Sequence, residues 1–388
     1  MKEREFIVEK LVAGGYGIVR AGNETVFVPY VIPGEKVGIE IEPGSKKPIR
    51  AKLVEIVIAS PDRVEPPCVL FGRCGGCQFQ HINYEAQLKF KVGILSENVA
   101  WMAKIRPDIN PIVSSAKHYN YRSRIKLHVK GDFVGFYAER KKDFLPVKYC
   151  HLAHDSINDA ISSLNSLFRY KPKTIELINE NDEYIVAIVE GAGWRKIFRF
   201  DRNRELSEEW QPARDQKVAF EQVNVEQNAV LRNIVRDAVA RIKPEGVIEL
   251  YSGSGNLTEV ILPYASWLAA VDSDRRAVVL GRDKFRGISG KPLKFVHKRA
   301  EDYLEYALNK GLKPDLIVLD PPRTGAKEAI KGILDIAPKY IIYVSCDPAT
   351  LARDLKSLLA DQYKLQSLTP IDMFPQTAHI EAVAVLSR

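Results

Sequence analysis

Tyr340-Ile341-Ile342-Tyr343-Val344-Ser345-Cys346-Asp347-Pro348-Ala349-Thr350 is an apolar run that stops at a thiol and a helix-opening pair. Residues 340–344 read as a buried parallel strand. Asp347 and Pro348 read as the N-cap and first residue of a helix that continues over 350–359. Cys346 is thereby expected at the carboxyl end of a strand, projecting onto a helix N-terminus. The helix dipole there favours thiolate over the ordinary thiol value of about 8.5. In an α/β sheet this edge is where the active site lies. A free cysteine is more usually a small buried hydrophobe, and its neighbours argue against that here.

The same pattern extends backwards. From about residue 216, helical and strand periods alternate: a helix over 226–241, then strands over 246–251, 267–271, 294–297, 315–319 and 340–344. Two further strands are expected near 363–368 and 381–386. The pattern predicts an α/β domain over 216–388 with a doubly wound, mostly parallel, Rossmann-like sheet.

Residues 1–58 instead alternate with strand period over 6–12, 18–20, 24–28, 36–41 and 49–57. Gly14-Gly15, Gly22-Asn23, Pro33-Gly34 and Pro43-Gly44-Ser45 separate them. Five short strands predict a small closed barrel of the OB type. Lys46, Lys47, Arg50 and Lys52 near its end suit either a solvated face or nucleic acid. A central α+β region, 59–215, opens on Pro61, Pro66 and Pro67. Its strand Tyr121-Arg122-Ser123-Arg124-Ile125-Lys126-Leu127-His128 turns basic and apolar residues to opposite faces. Arg122, Arg124 and Lys126 are its candidates for phosphate contact.

With 388 residues, two or three domains are expected. Hydrophobic residues at 46% and charged residues at 27% are ordinary for a globular protein. No apolar run approaches the roughly 18 residues of a membrane span. The charged start, Met1-Lys2-Glu3-Arg4-Glu5, predicts no signal peptide and a cytoplasmic location. A net charge of +8 permits a polyanionic partner without demanding one.

Glu249-Leu250-Tyr251-Ser252-Gly253-Ser254-Gly255-Asn256-Leu257-Thr258 reads as strand, glycine loop and helix start, where the backbone can approach a ligand closely. Asp272 lies 17 residues past Gly255, at the end of the next strand, placed to accept from ribose hydroxyls. The third glycine of dinucleotide-binding folds is missing. Glu249 opening the turn and Asp302 after the third strand fit S-adenosylmethionine better than NAD. The fourth strand ends in Asp320-Pro321-Pro322-Arg323. Methyltransferases of exocyclic amines end this motif in Tyr or Phe, and RNA 5-methylcytosine enzymes carry Cys there. Arg323 matches neither.

Of the five cysteines, Cys68, Cys74, Cys77 and Cys150 leave Cys346 apart. Cys68-x5-Cys74-Gly75-Gly76-Cys77 with Cys150, 73 residues on, supplies four thiolates for either a [4Fe–4S] cluster or a structural zinc. The radical S-adenosylmethionine spacing C-x3-C-x2-C is not met. In a cytoplasmic protein such clustering points to metal rather than disulfides. His81 and His151 read as ordinary polar residues.

Asp320-Pro321-Pro322-Arg323, then Ser345-Cys346-Asp347-Pro348-Ala349-Thr350-Leu351-Ala352-Arg353-Asp354, then His379-Ile380-Glu381 resemble the RNA uracil-5-methyltransferases. The nearer resemblance, over essentially the whole chain, is to their iron–sulfur branch acting on 23S ribosomal RNA. Asp347 stands where Asn is common. The resemblance implies a TRAM domain at 1–58 and a [4Fe–4S] cluster on Cys68, Cys74, Cys77 and Cys150. It further implies S-adenosylmethionine held by Gln222, Tyr251, Gly253, Asp272 and Asp320, with Phe220 near the target base. Cys346 would add to carbon 6 of uracil, and Glu381 would be the base that removes the carbon 5 proton. The partner would be structured RNA, 23S rRNA in the first place and tRNA at position 54 in the second, met by a monomer. A non-catalytic iron–sulfur RNA-binding factor would be expected to have lost Cys346, Asp320 or Glu381. A small-molecule methyltransferase would need neither the barrel nor the Ser-Cys-Asp-Pro run.

Overall fold

The computed structural model describes residues 5–42, 44, 47–138, 143–180, 183–201, 222–288, 290 and 292–388. Phe220 and Lys46 lie outside the described residues. The chain forms two compact units. One comprises residues 1–91, 116–212 and 374–378; the other comprises 92–115, 213–373 and 379–388.

The first unit holds two six-stranded sheets. One joins β1 (Glu5–Ile7), β2 (Lys10–Val12), β3 (Tyr16–Ala21), β4 (Glu24–Pro29), β5 (Lys36–Ile41) and β6 (Ile49–Ile58) in the order β1-β5-β6-β4-β3-β2. The single strand expected over 6–12 is two. Val8 donates to the Glu35 carbonyl and Glu9 to Ile18, so the segment changes partner strand between them. The two end strands of this order are thus consecutive pieces of one segment. Val8, Val19, Val26, Val28, Val31 and Val37 form the buried core of this sheet. Glu35 is fully buried against them, and Arg63 answers it with a 2.6 Å ion pair. Burial opposes the charge on Glu35, yet Arg63 and the Ile32 and Ser60 amides hold its carboxyl below the usual range.

The second sheet is antiparallel, ordered β12-β11-β10-β7-β8-β9. Its strands are β7 (Arg124–Lys130), β8 (Phe133–Tyr137), β9 (Phe144–Pro146), β10 (Thr174–Glu180), β11 (Tyr184–Glu190) and β12 (Arg195–Phe200). Helix α1 spans Tyr84–Asn98, and α2 (Asp155–Ser162) packs Ile157, Ala160 and Ile161 into this sheet's core. The basic strand begins at Arg124 rather than Tyr121. Its cations are not left for phosphate alone: Arg124 pairs with Glu176 at 2.7 Å and Lys126 with Glu190 at 3.1 Å.

The second unit is built on a seven-stranded sheet ordered β15-β14-β13-β16-β17-β19-β18. Its strands are β13 (Gly246–Leu250), β14 (Trp267–Asp272), β15 (Leu293–His297), β16 (Leu316–Leu319), β17 (Tyr340–Ser345), β18 (Lys364–Ile371) and β19 (Glu381–Ser387). Around it lie α3 (Val225–Ile242), α4 (Thr258–Ile261), α5 (Arg275–Lys284), α6 (Ala300–Asn309), α7 (Lys327–Ile336) and α8 (Pro348–Leu359). This is the α/β methyltransferase fold. Every residue of β13 and β16 is buried, as expected for parallel strands covered on both faces. β19 inserts between β17 and β18, antiparallel to both. The strand order reverses between β13 and β16, which opens the crevice where such folds bind ligands.

No helix among the described residues is long and apolar enough to cross a membrane.

Candidate active site

β13, β14, β16 and β17 run parallel, so Glu249, Asp272, Asp320 and Cys346 all reach the same edge of the sheet. β19 runs the other way, so its first residue, Glu381, reaches that edge too. The reversal of one strand is what brings a carboxylate to the thiol. Glu381 is not on an edge strand: it is 3% exposed and paired opposite Ile371.

Asp347 caps α8 as its sequence requires, accepting from the Ala349 and Thr350 amides at 3.0 and 2.8 Å. Ser345 steadies the turn, accepting from the Asp347 amide and donating to its carbonyl. The electrostatics depart from expectation. Burial pushes the Cys346 thiol up to about 11, and Glu381 and Asp320 add to the rise. One helix terminus is worth about 0.3–1 kcal/mol, which is too little against desolvation and two carboxylates. Arg323 is the cation that pulls the other way. It lies 3.2 Å from His379 through Nη2 and Nε2. Burial raises Asp320 to about 7, and burial with the Asp320 charge raises Glu381 well above the carboxylate range.

The glycine loop is built to admit a ligand. Tyr251, Gly253 and Gly255 all have positive φ, at 60°, 55° and 96°. A Cβ at Gly255 would meet Phe285 at 2.7 Å, whereas one at Gly253 would meet open space. The Gly253 amide donates to Asp272 at 2.8 Å, and Ser252 Oγ is buried without a partner. Glu249 accepts from Thr258 Oγ1 at 2.5 Å, and burial pushes it up to about 8, with Asp320 and Asp272 contributing. An open glycine cradle, an unsatisfied hydroxyl and three carboxyls fit a cationic nucleoside such as S-adenosylmethionine. Asn228 and Asn256 bond each other reciprocally at 3.0 and 2.9 Å, which ties the loop to α3. Sequence reading missed this pair, since no local spacing links residues 28 apart. Gln222, two residues ahead of the α3 N-cap Asn224, is half-buried. Asp302 stands exposed in the first turn of α6.

In the first unit, Cys68, Cys74, Cys77 and Cys150 line one cavity of about 400 Å³ with Arg122, Tyr149 and His151. Burial, with neighbouring thiols contributing, pushes Cys77 up to about 12 and raises Cys74. Arg122 Nε is buried beside them without a hydrogen-bond partner. Among the described residues, no group of three or more His, Cys, Asp or Glu side chains is placed to hold a metal ion.

Two relatives match almost the whole chain. An uncharacterized RNA methyltransferase of Bdellovibrio bacteriovorus is 33% identical over 98% of this chain and 93% of its own. An uncharacterized RNA methyltransferase of Aquifex aeolicus is 31% identical over 99% of this chain and 98% of its own. Residues 294–388, which carry Asp320, Cys346 and Glu381, match the profile of the tRNA (uracil-5-)-methyltransferases. The chain belongs to the RNA uracil-5-methyltransferase family. The fold agrees along its length with the Pyrococcus abyssi tRNA (uracil-54, C5)-methyltransferase bound to S-adenosyl-L-homocysteine. There the TM-score is 0.74 at 22% identity, covering 99% of this chain and all of that one. As a member of this family the chain is an S-adenosylmethionine-dependent RNA methyltransferase.

Proposed function

We propose that this enzyme methylates carbon 5 of a uridine in folded RNA through a covalent adduct to Cys346, with Glu381 as the base. The observation that carries this reading is one thiol and two carboxylates, Glu381 and Asp320, at the edge that also bears the glycine loop. When bound, S-adenosylmethionine supplies an electrophilic methyl on a cationic sulfur. Gly253, Asp272, Tyr251, Asp320 and Gln222 are the residues proposed to hold it.

Carbon 5 of uracil is a weak nucleophile. Sulfur of Cys346 adds to carbon 6, the ring electrons move to oxygen 4, and the resulting enolate makes carbon 5 nucleophilic. The thiol first gives up its proton, which burial resists and the Arg323 guanidinium assists. Carbon 5 takes the methyl as the methyl's bond to the cofactor sulfur breaks; Glu381 then takes the carbon 5 proton, the carbon 5–carbon 6 double bond re-forms, and the sulfur of Cys346 leaves as thiolate. Burial and the Asp320 charge raise the proton affinity of Glu381, which makes it a stronger base once ionised. Phe220 retains its proposed place near the base.

The four clustered cysteines are read as ligands of a [4Fe–4S] cluster. All four line one cavity, Arg122 supplies a cation beside them, and the sequence resemblance is what favours a cluster over zinc. No step above passes through it, so its task is structural. The six-stranded sheet formed by β1 to β6 is read as a TRAM-type RNA-binding module. For the RNA itself, the sequence resemblance favours a 23S uridine. Full-length likeness to a tRNA (uracil-54, C5)-methyltransferase favours a transfer RNA uridine as the second reading.

Labelled S-adenosylmethionine, offered with unmodified ribosomal and transfer RNA and followed by nucleoside digestion, tests both levels. Label in 5-methyluridine, lost in Cys346→Ala, supports the chemistry, and the RNA fraction carrying it names the substrate. Label in any other nucleoside would overturn the reading.

A further inference from the structure

The run Ser345 to Asp354 ends in an Arg-Asp pair that the chemistry above leaves without a task. Asp354 sits inside α8 and is only 2% exposed. Aspartate is a poor helix-interior residue, and a buried carboxylate is expensive unless several donors meet it. Here they do. Its Oδ2 accepts from the Ala326 amide and from the Tyr343 hydroxyl, each at 2.8 Å. Its Oδ1 accepts from Arg353 Nε at 2.8 Å, while Arg353 Nη2 reaches the Thr324 carbonyl at 2.9 Å.

One carboxylate therefore joins three pieces of chain. Tyr343 is in β17, three residues before Cys346. Thr324 and Ala326 belong to the turn that starts at Asp320 and carries Arg323. The third piece is α8, whose N-terminus faces the thiol. The turn packs closely on the Arg353–Asp354 pair. Gly325 has φ of 76°, and a Cβ there would strike Arg353 Nη2 and come within 2.7 Å of Asp354 Oδ2.

We infer that Asp354, with Arg353, is the positioning residue of this site: it sets the Asp320–Arg323 turn against the strand end bearing Cys346. It touches neither thiol nor cofactor. Its effect passes through Arg323, a cation that eases ionisation of Cys346. The inference rests on Cys346 being the nucleophile, yet one of its readouts needs neither RNA nor methyl transfer.

The test uses the full chain with Asp354→Ala, Asp354→Asn and Tyr343→Phe. Three quantities are measured: S-adenosylhomocysteine affinity, kcat on RNA, and the pH profile of iodoacetamide alkylation at the Cys346 peptide. A misplaced group costs on the order of a hundredfold, so Asp354→Ala is expected to lose about that in kcat. Cofactor affinity should fall less than kcat, since of the residues proposed to hold the cofactor only Asp320 lies on that turn, and the alkylation midpoint should move to higher pH. Asp354→Asn keeps an oxygen for Ala326 and Tyr343 and should recover part of the rate. Should Asp354→Ala fail to fold, Tyr343→Phe carries the test, with a smaller rate loss and the same direction of midpoint shift. An unchanged alkylation profile, or a rate loss matched by equal loss of cofactor affinity, would overturn the inference. An altered profile at Cys346 in an enzyme that never methylates uridine would retain Asp354's role and remove only the proposed reaction.

Discussion

At the scale of single residues the candidate cofactor site holds two buried carboxyls with raised proton affinity. Glu249 is held up at about 8 and Asp320 at about 7, so near neutral pH each carries a proton for part of the time. A cationic cofactor favours their ionised forms, so its binding should expel protons. The sign follows: affinity for S-adenosylmethionine rises with pH between about 6 and 8 and levels off above, because below that window the protons must first be driven off. Calorimetry in two buffers of different ionisation enthalpy would read the released proton. Heat independent of buffer would remove the acid cluster from cofactor recognition. Glu381 is expected to behave differently. Glu381→Gln should lower turnover by about 10²–10⁴, the usual share of a general base, while leaving addition of Cys346 possible. Protein–RNA adduct should then accumulate on denaturing gels; turnover within tenfold of wild type would contradict its role as the base.

At the scale of elements, an inserted strand and a salt-bridged corner carry the argument. Sequence reading placed β13, β14, β16 and β17 and the start of α8, because continuous apolar runs and an Asp-Pro cap are local signals. It also put Glu381 at the opening of the last expected strand. It had no means to see that β19 lies inside the sheet, since strand order is set by packing and not by periodicity. Nor could it foresee that burial would outweigh the helix dipole at Cys346, because desolvation depends on chain segments distant in sequence. Arg124 and Lys126 looked available for phosphate because their partners, Glu176 and Glu190, sit on other strands. The Glu35–Arg63 pair was invisible for the same reason. Removing one partner of a buried pair strands the other, so Arg63→Ala should cost about 3–5 kcal/mol in urea unfolding. Glu35 is held below its unfolded value, so the pair stabilises above that value and its contribution fades as pH falls through the folded one. A loss under 1 kcal/mol would show the carboxylate to be solvated in solution.

At the scale of the whole molecule, the chemistry belongs to one compact unit and the four-cysteine cavity to the other. The account therefore predicts that they can be separated by measurement. Cys150→Ala in the full chain should lower iron and sulfide content and thermal stability while leaving S-adenosylhomocysteine affinity unchanged. Zinc in place of iron would retain the cavity and change its occupant. The central claim is the bond between Cys346 and a uracil ring. RNA carrying 5-fluorouridine tests it most directly, since fluorine at carbon 5 cannot leave as a proton does and elimination stalls after methyl transfer. The account predicts a denaturation-resistant complex that holds one transferred methyl and maps to the Cys346 peptide. Methylated RNA with no adduct, or an adduct on another residue, would contradict it.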